Sequence, residues 1–412
     1  MSDDGIAALL ARPDLRGLLA VLDGDGEETR IVGGAIRNAL LGRPVTEVDL
    51  ASTAVPAVVT ARAERAGFKV APTGIDHGTV TVIVDGTPYE VTTLREDVET
   101  HGRHATVRFG RDFRADAERR DFSINALSLS ADGTIHDPVG GLADLEARRV
   151  VFIGDPAQRI REDYLRILRF FRFHAEYGEG EIDPAGFSAA VRERRGLAQL
   201  SRERVRLELL KLLAARRAAD VVEAASQAGF LERFTGGVAE LGRLRRVKAF
   251  ELRHGLAPDP IRRLAALSVT TVEDAERLRE CLRLSNAEQR RLETYAHLLA
   301  RARSVEEAFD ALAIRRTVAE RGVEAVVDLA AAVAGEPRPV FAAEGLDLLE
   351  RFRSGAEPVP VFPLRGADAL ARGIPKGPEV GRVLERARAA WLAQGCPPDR
   401  ATALRLLDGA LA

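Results

Sequence analysis

Glu47 and Asp49 are separated by one residue in the run Val45-Thr-Glu-Val-Asp-Leu-Ala-Ser52. A strand over Thr46 to Ala51 puts both carboxylates on one face, because side chains alternate. Side by side they repel each other, and a pair of divalent cations is the usual relief when a phosphate is also near. A phosphate site stands just upstream. Gly33-Gly34 makes a turn in which backbone N–H groups approach a ligand closely, and the helix that follows adds positive potential at its N-terminus. Arg37, one turn on, then reaches toward a phosphate oxygen. Together these residues outline a metal and triphosphate site. Taken separately, the glycine pair is an ordinary tight turn and the carboxylates an ordinary solvated strand edge.

Two further runs carry suitable residue types. In Asp116-Ala-Glu-Arg-Arg-Asp-Phe-Ser-Ile-Asn-Ala-Leu127 the adjacent Arg119 and Arg120 would point about 100° apart on a helix, so they either grip different parts of one triphosphate or form a surface charge cluster. In Arg161-Glu-Asp-Tyr-Leu-Arg-Ile-Leu-Arg-Phe-Phe-Arg-Phe-His174, Asp163 and Arg166 share a helix face, with Arg169 and Arg172 following at the same spacing. An acid that accepts beside a guanidinium that donates matches a Watson–Crick edge, and the same spacing also describes a solvated ion pair. His101 and His104 have no third ligand in register and read as polar loop residues, and His136 reads as a structural histidine.

The elements that must hold these groups are a strand at Arg30 to Val32, a helix from about Ala35 to Leu41, and the carboxylate strand. A helix over Ile6 to Val21 precedes them. A helix over Pro56 to Ala66 follows, then strands at Phe68 to Ala71, Thr79 to Val84 and Tyr89 to Leu94, the last two joined by an Asp85-Gly86 hairpin turn. No period survives from Arg95 to Arg114, which reads as a mobile loop beside the site. Beyond Arg149 the pattern is almost entirely helical. The fold class is α+β, divided as a head over 1–148, a helical neck over 149–213, a helical body over 214–335 and a helical tail over 336–412. In the tail, the glycines around Lys376 and Gly377 offer backbone amides to an RNA phosphate.

A chain of 412 residues with 46% hydrophobic and 30% charged residues builds a large globular core rather than a disordered one. The net charge of −2 does not exclude RNA binding, since one basic face is enough. Cys281 and Cys396 have no paired spacing, which indicates neither zinc nor a disulfide framework. No apolar run spans a bilayer and no leader pattern is present, so a cytoplasmic protein without membrane association is expected. Nothing in the sequence sets an oligomeric state.

Gly-Gly-x-x-Arg followed by Glu-x-Asp, Arg-Arg-Asp-Phe-x-x-Asn-Ala, and Glu-Asp-x-x-Arg resemble in that order the motifs of the class II CCA-adding enzymes and bacterial poly(A) polymerases, within the polymerase β-like nucleotidyltransferases. The likeness is densest from Arg30 to Lys211. It implies a nucleotidyltransferase head in which Glu47 and Asp49 hold two Mg²⁺, with Glu90 on a neighbouring strand as third carboxylate. It implies that Gly33, Gly34, Arg37, Arg119 and Arg120 neutralise a triphosphate, that Asn125 contacts ribose or phosphate, and that Asp163 and Arg166, braced by Arg169, read the base of CTP and ATP. The expected reaction is addition of C, C and A to the 3′ end of tRNA, engaged by its acceptor arm. The chain departs from the pattern at Glu47, where the family has Asp. Three alternatives stay open: a poly(A) polymerase, an enzyme adding only CC or only A, and a tRNA-binding relative with a disabled site. Against the first, the place of the polymerases' Gly-Arg-Arg-Phe-like segment reads Thr73-Gly-Ile-Asp-His-Gly-Thr79.

Overall fold

The computed structural model describes residues 3–74, 78–97 and 107–411, and the chain divides into two compact units, Met1–Ser201 and Arg202–Ala412. The neck expected over 149–213 is therefore shared: 149–201 belongs to the first unit and 202–213 to the second. His101 and His104 lie outside the described residues.

The first unit opens with α1 (Asp3–Leu10) and α2 (Pro13–Leu22). One helix was expected here, and Pro13, which has no N–H to continue a helix but suits a first turn, makes it two. Next come β1 (Thr29–Val32), α3 (Gly34–Leu40), β2 (Asp49–Ser52), α4 (Pro56–Arg65), β3 (Lys69–Gly74), β4 (Thr79–Val84) and β5 (Thr87–Thr93). Asp85 and Gly86, with φ of 49° and 83°, make the β4–β5 hairpin turn in the left-handed conformations that match strand twist. The stretch expected as a patternless loop instead begins and ends in a paired ribbon, β6 (Arg95–Asp97) with β7 (Val107–Phe109). The head closes with α5 (Phe113–Glu118), a short 3₁₀ turn at Ser123–Asn125, β8 (Ser128–Leu129), β9 (Ile135–His136) and α6 (Gly141–Glu146). Helices α7 (Pro156–Glu162), α8 (Leu165–Tyr177) and α9 (Pro184–Glu193) complete the unit.

Seven strands form one sheet in the order β3-β4-β5-β2-β1-β8-β9. The central pair, β2 with β5, is parallel, and the other neighbours are antiparallel. Alternation sorts the two faces. Ile31, Leu50, Tyr89 and Val91 are buried on the face that α2 and α4 cover. Asp49 and Glu90, one residue out of phase, are exposed on the other. Thus two helices bury one face, while on the other Phe113 covers Val32 and Ala51 and leaves Asp49 and Glu90 open to solvent. Where the isolated bridge between Phe122 and Phe152 meets α8, these rings form an aromatic cluster with Phe170 and Phe173, neighbouring centroids lying 4.9–5.2 Å apart, and each such pair adds about 0.5–1.5 kcal/mol beyond its buried area.

The second unit is helical from Arg202–Ala214 to Arg400–Gly409. Its core carries charge. Arg262 donates to Asp328 (2.8 Å) and Glu251 (3.2 Å), Arg263 to Glu251 (2.9 Å), and Arg291 to Asp328 (2.7 Å). Arg262, Arg263, Glu251 and Asp328 are all buried, so each guanidinium must keep its acid: removing one partner of such a pair costs about 3–5 kcal/mol. Among the described residues no helix is long and apolar enough to cross a membrane.

A smaller polar cluster pins α2 to β5 directly beside Glu90. Arg12 Nη2 donates to Asp14 (3.1 Å) and to the Tyr89 hydroxyl (2.8 Å), and the Tyr89 hydroxyl donates to Asp14. Desolvation raises the Asp14 pKa, but the hydrogen bonds from Arg12 and Tyr89 outweigh it and hold the carboxyl at about 2, below its ordinary 3.8. A depressed folded-state pKa stabilises the fold above the unfolded value and stops doing so as pH falls through the folded one. Asp14→Asn is therefore expected to lower stability by about 1 kcal/mol at pH 7. The gap to the unsubstituted protein should shrink between about pH 4 and pH 2. Urea titrations at several pH values check this, and a gap that does not change with pH contradicts it.

Candidate active site

The parallel ladder between β2 and β5 pairs Asp49 with Glu90, which places the two carboxylates on one face a strand spacing apart, about 4.8 Å between backbones. Glu90 thus stands next to Asp49 through register, across 41 residues of sequence that no local pattern connects. Glu47 lies just before β2, exposed, rather than inside a strand running from Thr46 as the alternation suggested. It still acts on Asp49. The protein around Asp49, then the charges of Glu90 and Glu47, push its carboxyl above the usual carboxylate range, while Arg120 pulls the other way. That crowding of like charge, on hard oxygen donors, suits a divalent cation. Among the described residues no three acidic, histidine or cysteine side chains group closely enough to hold a metal ion by themselves. A divalent cation between these carboxylates would complete its ligand set with water and phosphate oxygens.

The glycine turn lies at the end of β1, beside Asp49 through the Val32–Asp49 pairing. Gly33 has φ of +70° and ψ of −122°, a conformation that strains any residue with a Cβ. A Cβ there would also lie 3.2 Å from Arg120 Nη1. The N–H of Gly33 is taken by the Leu127 carbonyl (3.1 Å), while the first turn of α3, which begins at Gly34, presents N–H groups that have no intrahelical acceptor. Arg119 and Arg120 do not diverge along a helix, because α5 ends at Glu118. Both turn back onto buried Asp116, Arg119 on one carboxylate oxygen and Arg120 on the other (3.0 Å), and Arg120 also donates to the Asn125 carbonyl (3.3 Å). Burial works to raise the Asp116 pKa, and the two guanidiniums outweigh it, so the carboxylate stays charged and presents the pair as one fork.

Arg37 is placed differently from the expectation that it reaches a phosphate. It is buried, its guanidinium lies 3.9 Å above the Tyr177 ring, and it donates to the Asn125 side-chain oxygen and to the Tyr177 hydroxyl (2.8 Å). Asn125, expected at the ribose or a phosphate, is buried as well. It passes its amide N–H on to Asp121 (3.0 Å), and Asp121 receives Arg169 Nε at 2.6 Å. Arg169 and Tyr177 both belong to α8. A closed circuit, Arg169–Asp121–Asn125–Arg37–Tyr177, therefore fastens that helix to the glycine turn at two points. Sequence reasoning missed Tyr177 because its partner is 140 residues away, and no spacing signal links them.

The run expected as one helix over Arg161 to His174 is two. Asp163 has φ of −155° and ψ of 107°, which ends α7, and its carboxylate accepts the Leu165 N–H (3.1 Å) as α8 begins. Asp163 and Arg166 therefore do not share a helix face; Asp163 stands at the break. Arg166 donates to the Arg159 carbonyl (2.8 Å), to Glu162 and to the Arg119 carbonyl (3.4 Å), which joins it to the phosphate fork. Lys376 and Gly377 are exposed in the second unit, just before the helix Pro378–Ala393.

Residues 29–151 match the family model described as the poly A polymerase head domain. The chain is 39% identical over 279 residues to CCA tRNA nucleotidyltransferase 1, mitochondrial, of Danio rerio, covering 67% of this chain and 64% of that one. It is 39% identical over 244 residues to the CCA-adding enzyme of Geobacillus thermodenitrificans, covering 57% of each. The aligned stretches thus span less than two thirds of these curated relatives. The structure of the Bacillus stearothermophilus CCA-adding enzyme in complex with CTP superposes with a TM-score of 0.70 at 27% identity, over 96% of both chains. That of the Thermotoga maritima CCA-adding enzyme complexed with tRNA, at 18% identity and a TM-score of 0.67, shares the fold.

The circuit through Tyr177 has a measurable consequence. Tyr177→Phe keeps the ring beneath Arg37 but leaves a buried donor without its acceptor. It is expected to destabilise the protein by about 1–3 kcal/mol, read by chemical denaturation. A loss under half a kcal/mol would show that the circuit does not hold the helix.

Proposed function

We propose that this chain, in keeping with its likeness to the CCA-adding enzymes, adds C, C and A in turn to the 3′ end of tRNA, from CTP and ATP, with release of pyrophosphate and no nucleic-acid template. The observation that carries this reading is the pairing of Asp49 with Glu90, crowded by Glu47, beside a glycine turn capped by Arg120. Glu47, Asp49 and Glu90 would hold two Mg²⁺ ions together with triphosphate oxygens and water. Bound there, such ions lower the pKa of the primer 3′-hydroxyl and offset the charge of the leaving pyrophosphate.

The protein's own groups do the positioning. The first turn of α3 and the Arg119–Arg120 fork take the triphosphate, held ready by Asp116 before substrate arrives. Arg37 and Asn125 act one layer behind, tying the phosphate turn to α8. Asp163 and Arg166 stand at the start of α8 for the base. Cytosine and adenine both present an amino donor beside a ring-nitrogen acceptor, which an acid and a guanidinium complement, whereas uracil and guanine present a carbonyl beside an N–H. The acceptor arm of tRNA would be recognised by shape and backbone, with Lys376 and Gly377 at a phosphate in the tail over 336–412 and the body over 214–335 spanning the arm.

The direct test incubates the purified protein with a tRNA transcript lacking its CCA end, giving each nucleotide singly and then all together. Two residues should be added from CTP alone and a complete CCA end from CTP with ATP. A long ladder from ATP alone would make it a poly(A) polymerase, and a product that stops after CC would make it a partial enzyme. Each good bidentate base contact is worth about 1–3 kcal/mol of discrimination. Asp163→Ala and Arg166→Ala are therefore expected to narrow the preference for CTP and ATP over UTP and GTP by about tenfold. Unchanged selectivity in both would place base reading elsewhere.

A further inference from the structure

One row of paired residues crosses the ligand-side face of the sheet. Glu90 pairs with Asp49, Asp49 with Val32, Val32 with Ser128, and Ser128 with His136. Paired residues point to the same side, so the row runs without interruption from the carboxylates to the far edge. Its far end opens into a groove of about 490 Å³ whose lining includes Arg30, Arg111, Phe113, Ser128 and His136, together with the carboxylates of Glu28, Asp112 and Asp137. Nothing in the proposed mechanism uses this groove.

Ser128 is two strand spacings from Asp49, about 10 Å, a distance that one nucleotide spans from its 3′-oxygen to its base. Arg30 lies two residues before Val32 and Gly33 one after it, so the groove and the triphosphate turn leave the carboxylates in opposite directions along β1. The wall of the groove nearest the carboxylates is Phe113, packed on Val32, Ala51 and Leu94. The Arg30 guanidinium, paired through Nε with Glu28 (2.6 Å), lies 3.9 Å from the Phe113 ring centroid, which makes a flat guanidinium and aromatic platform of the kind on which RNA bases stack. Arg111 is held by Glu27, donating from Nη1 to both carboxylate oxygens (2.8 and 2.9 Å), and by the Gly26 carbonyl, while 59% of its side chain stays exposed toward the groove and open to a phosphate. His136 Nε2 meets Ser130 Oγ at 2.7 Å, and burial followed by the charge of Arg30 holds its pKa below the usual value, so at neutral pH it offers a ring hydrogen-bonding group rather than a charge.

We propose that this groove seats the last nucleotide of the RNA strand being extended: its base on the Arg30–Phe113 platform, its edge toward Ser128 and His136, and its phosphate toward Arg111. The proposal rests on the nucleotidyl-transfer reading and adds to it the side from which the primer enters.

The test is a coupling cycle. Single-turnover addition of C is measured on two acceptor-stem RNAs lacking CCA, one normal and one with an abasic 3′-terminal residue. The proteins are the unsubstituted chain, Arg30→Ala, Phe113→Leu and His136→Ala. Base removal and Arg30→Ala should each cost about tenfold in kcat/KM for RNA. On the abasic RNA, Arg30→Ala should cost less than about twofold, because the platform then has nothing to stack. The KM for CTP should stay unchanged, and Arg30→Lys should not restore the loss, having no planar group. Phe113→Leu and His136→Ala give the same readout should Arg30→Ala fail to fold. Losses that multiply to about a hundredfold, or a raised KM for CTP with RNA use intact, overturn the inference while leaving nucleotidyl transfer standing. An unsubstituted protein that adds no nucleotide to the normal RNA overturns both.

Discussion

The backbone hydrogen bonds between β2 and β5 hold Asp49 and Glu90 at one register position, so their two carboxylates rise from neighbouring points on the same face of the sheet. Burial first, then the charge of Glu90, raises the Asp49 pKa, with Glu47 adding a third charge from the loop before the strand. The first unit is arranged around this pair. Helices α2 and α4 bury the opposite face, the Arg12–Asp14–Tyr89 cluster fixes β5 one residue before Glu90, and the aromatic cluster joins the Phe122–Phe152 bridge to α8. The positive groups are placed with equal care but are kept off the carboxylates. Asp116 holds Arg119 and Arg120, and Arg37 is committed to Asn125 and Tyr177. A cation and a polyphosphate would supply what the carboxylates and the arginine fork each lack.

Local chemistry was legible wherever the cause was local. The Gly-Gly turn before a helix, the Asp85-Gly86 hairpin and the helix started by Pro56 occur where short-range preferences place them. The neighbourhood of Asp49 was legible in part: Glu47 was found by spacing, while the nearness of Glu90 depends on which strands pair. What failed was decided by tertiary contacts. Arg37 looks like a surface ligand until Tyr177 and Asn125 bury it. The 3.6-residue pattern over Arg161 to His174 continues through Asp163, where the backbone breaks and the carboxylate turns to cap the next helix. The ribbon of β6 and β7 escaped notice because its short arms carry no alternating pattern.

The second unit shows the same economy of charge on a structural rather than chemical errand. Four buried charged groups, Arg262, Arg263, Glu251 and Asp328, satisfy one another, and Arg263 also donates to the carbonyls of Leu213 and Ala215, which fastens the end of its first helix. Arginine suits this use because its fork makes several directed hydrogen bonds at once.

The central claim is that Asp49 sits at the heart of a metal-dependent transfer centre. It is tested most directly by single-turnover addition of C to tRNA lacking CCA, comparing Asp49→Ala with the unsubstituted protein at saturating CTP. Asp49→Ala should lose addition by at least about 10³-fold, on the scale of ΔΔG‡ that removal of a key electrostatic group commands. Its thermal stability and its affinity for the tRNA should remain within about twofold of the unsubstituted values. Turnover by Asp49→Ala at the unsubstituted rate would contradict the account.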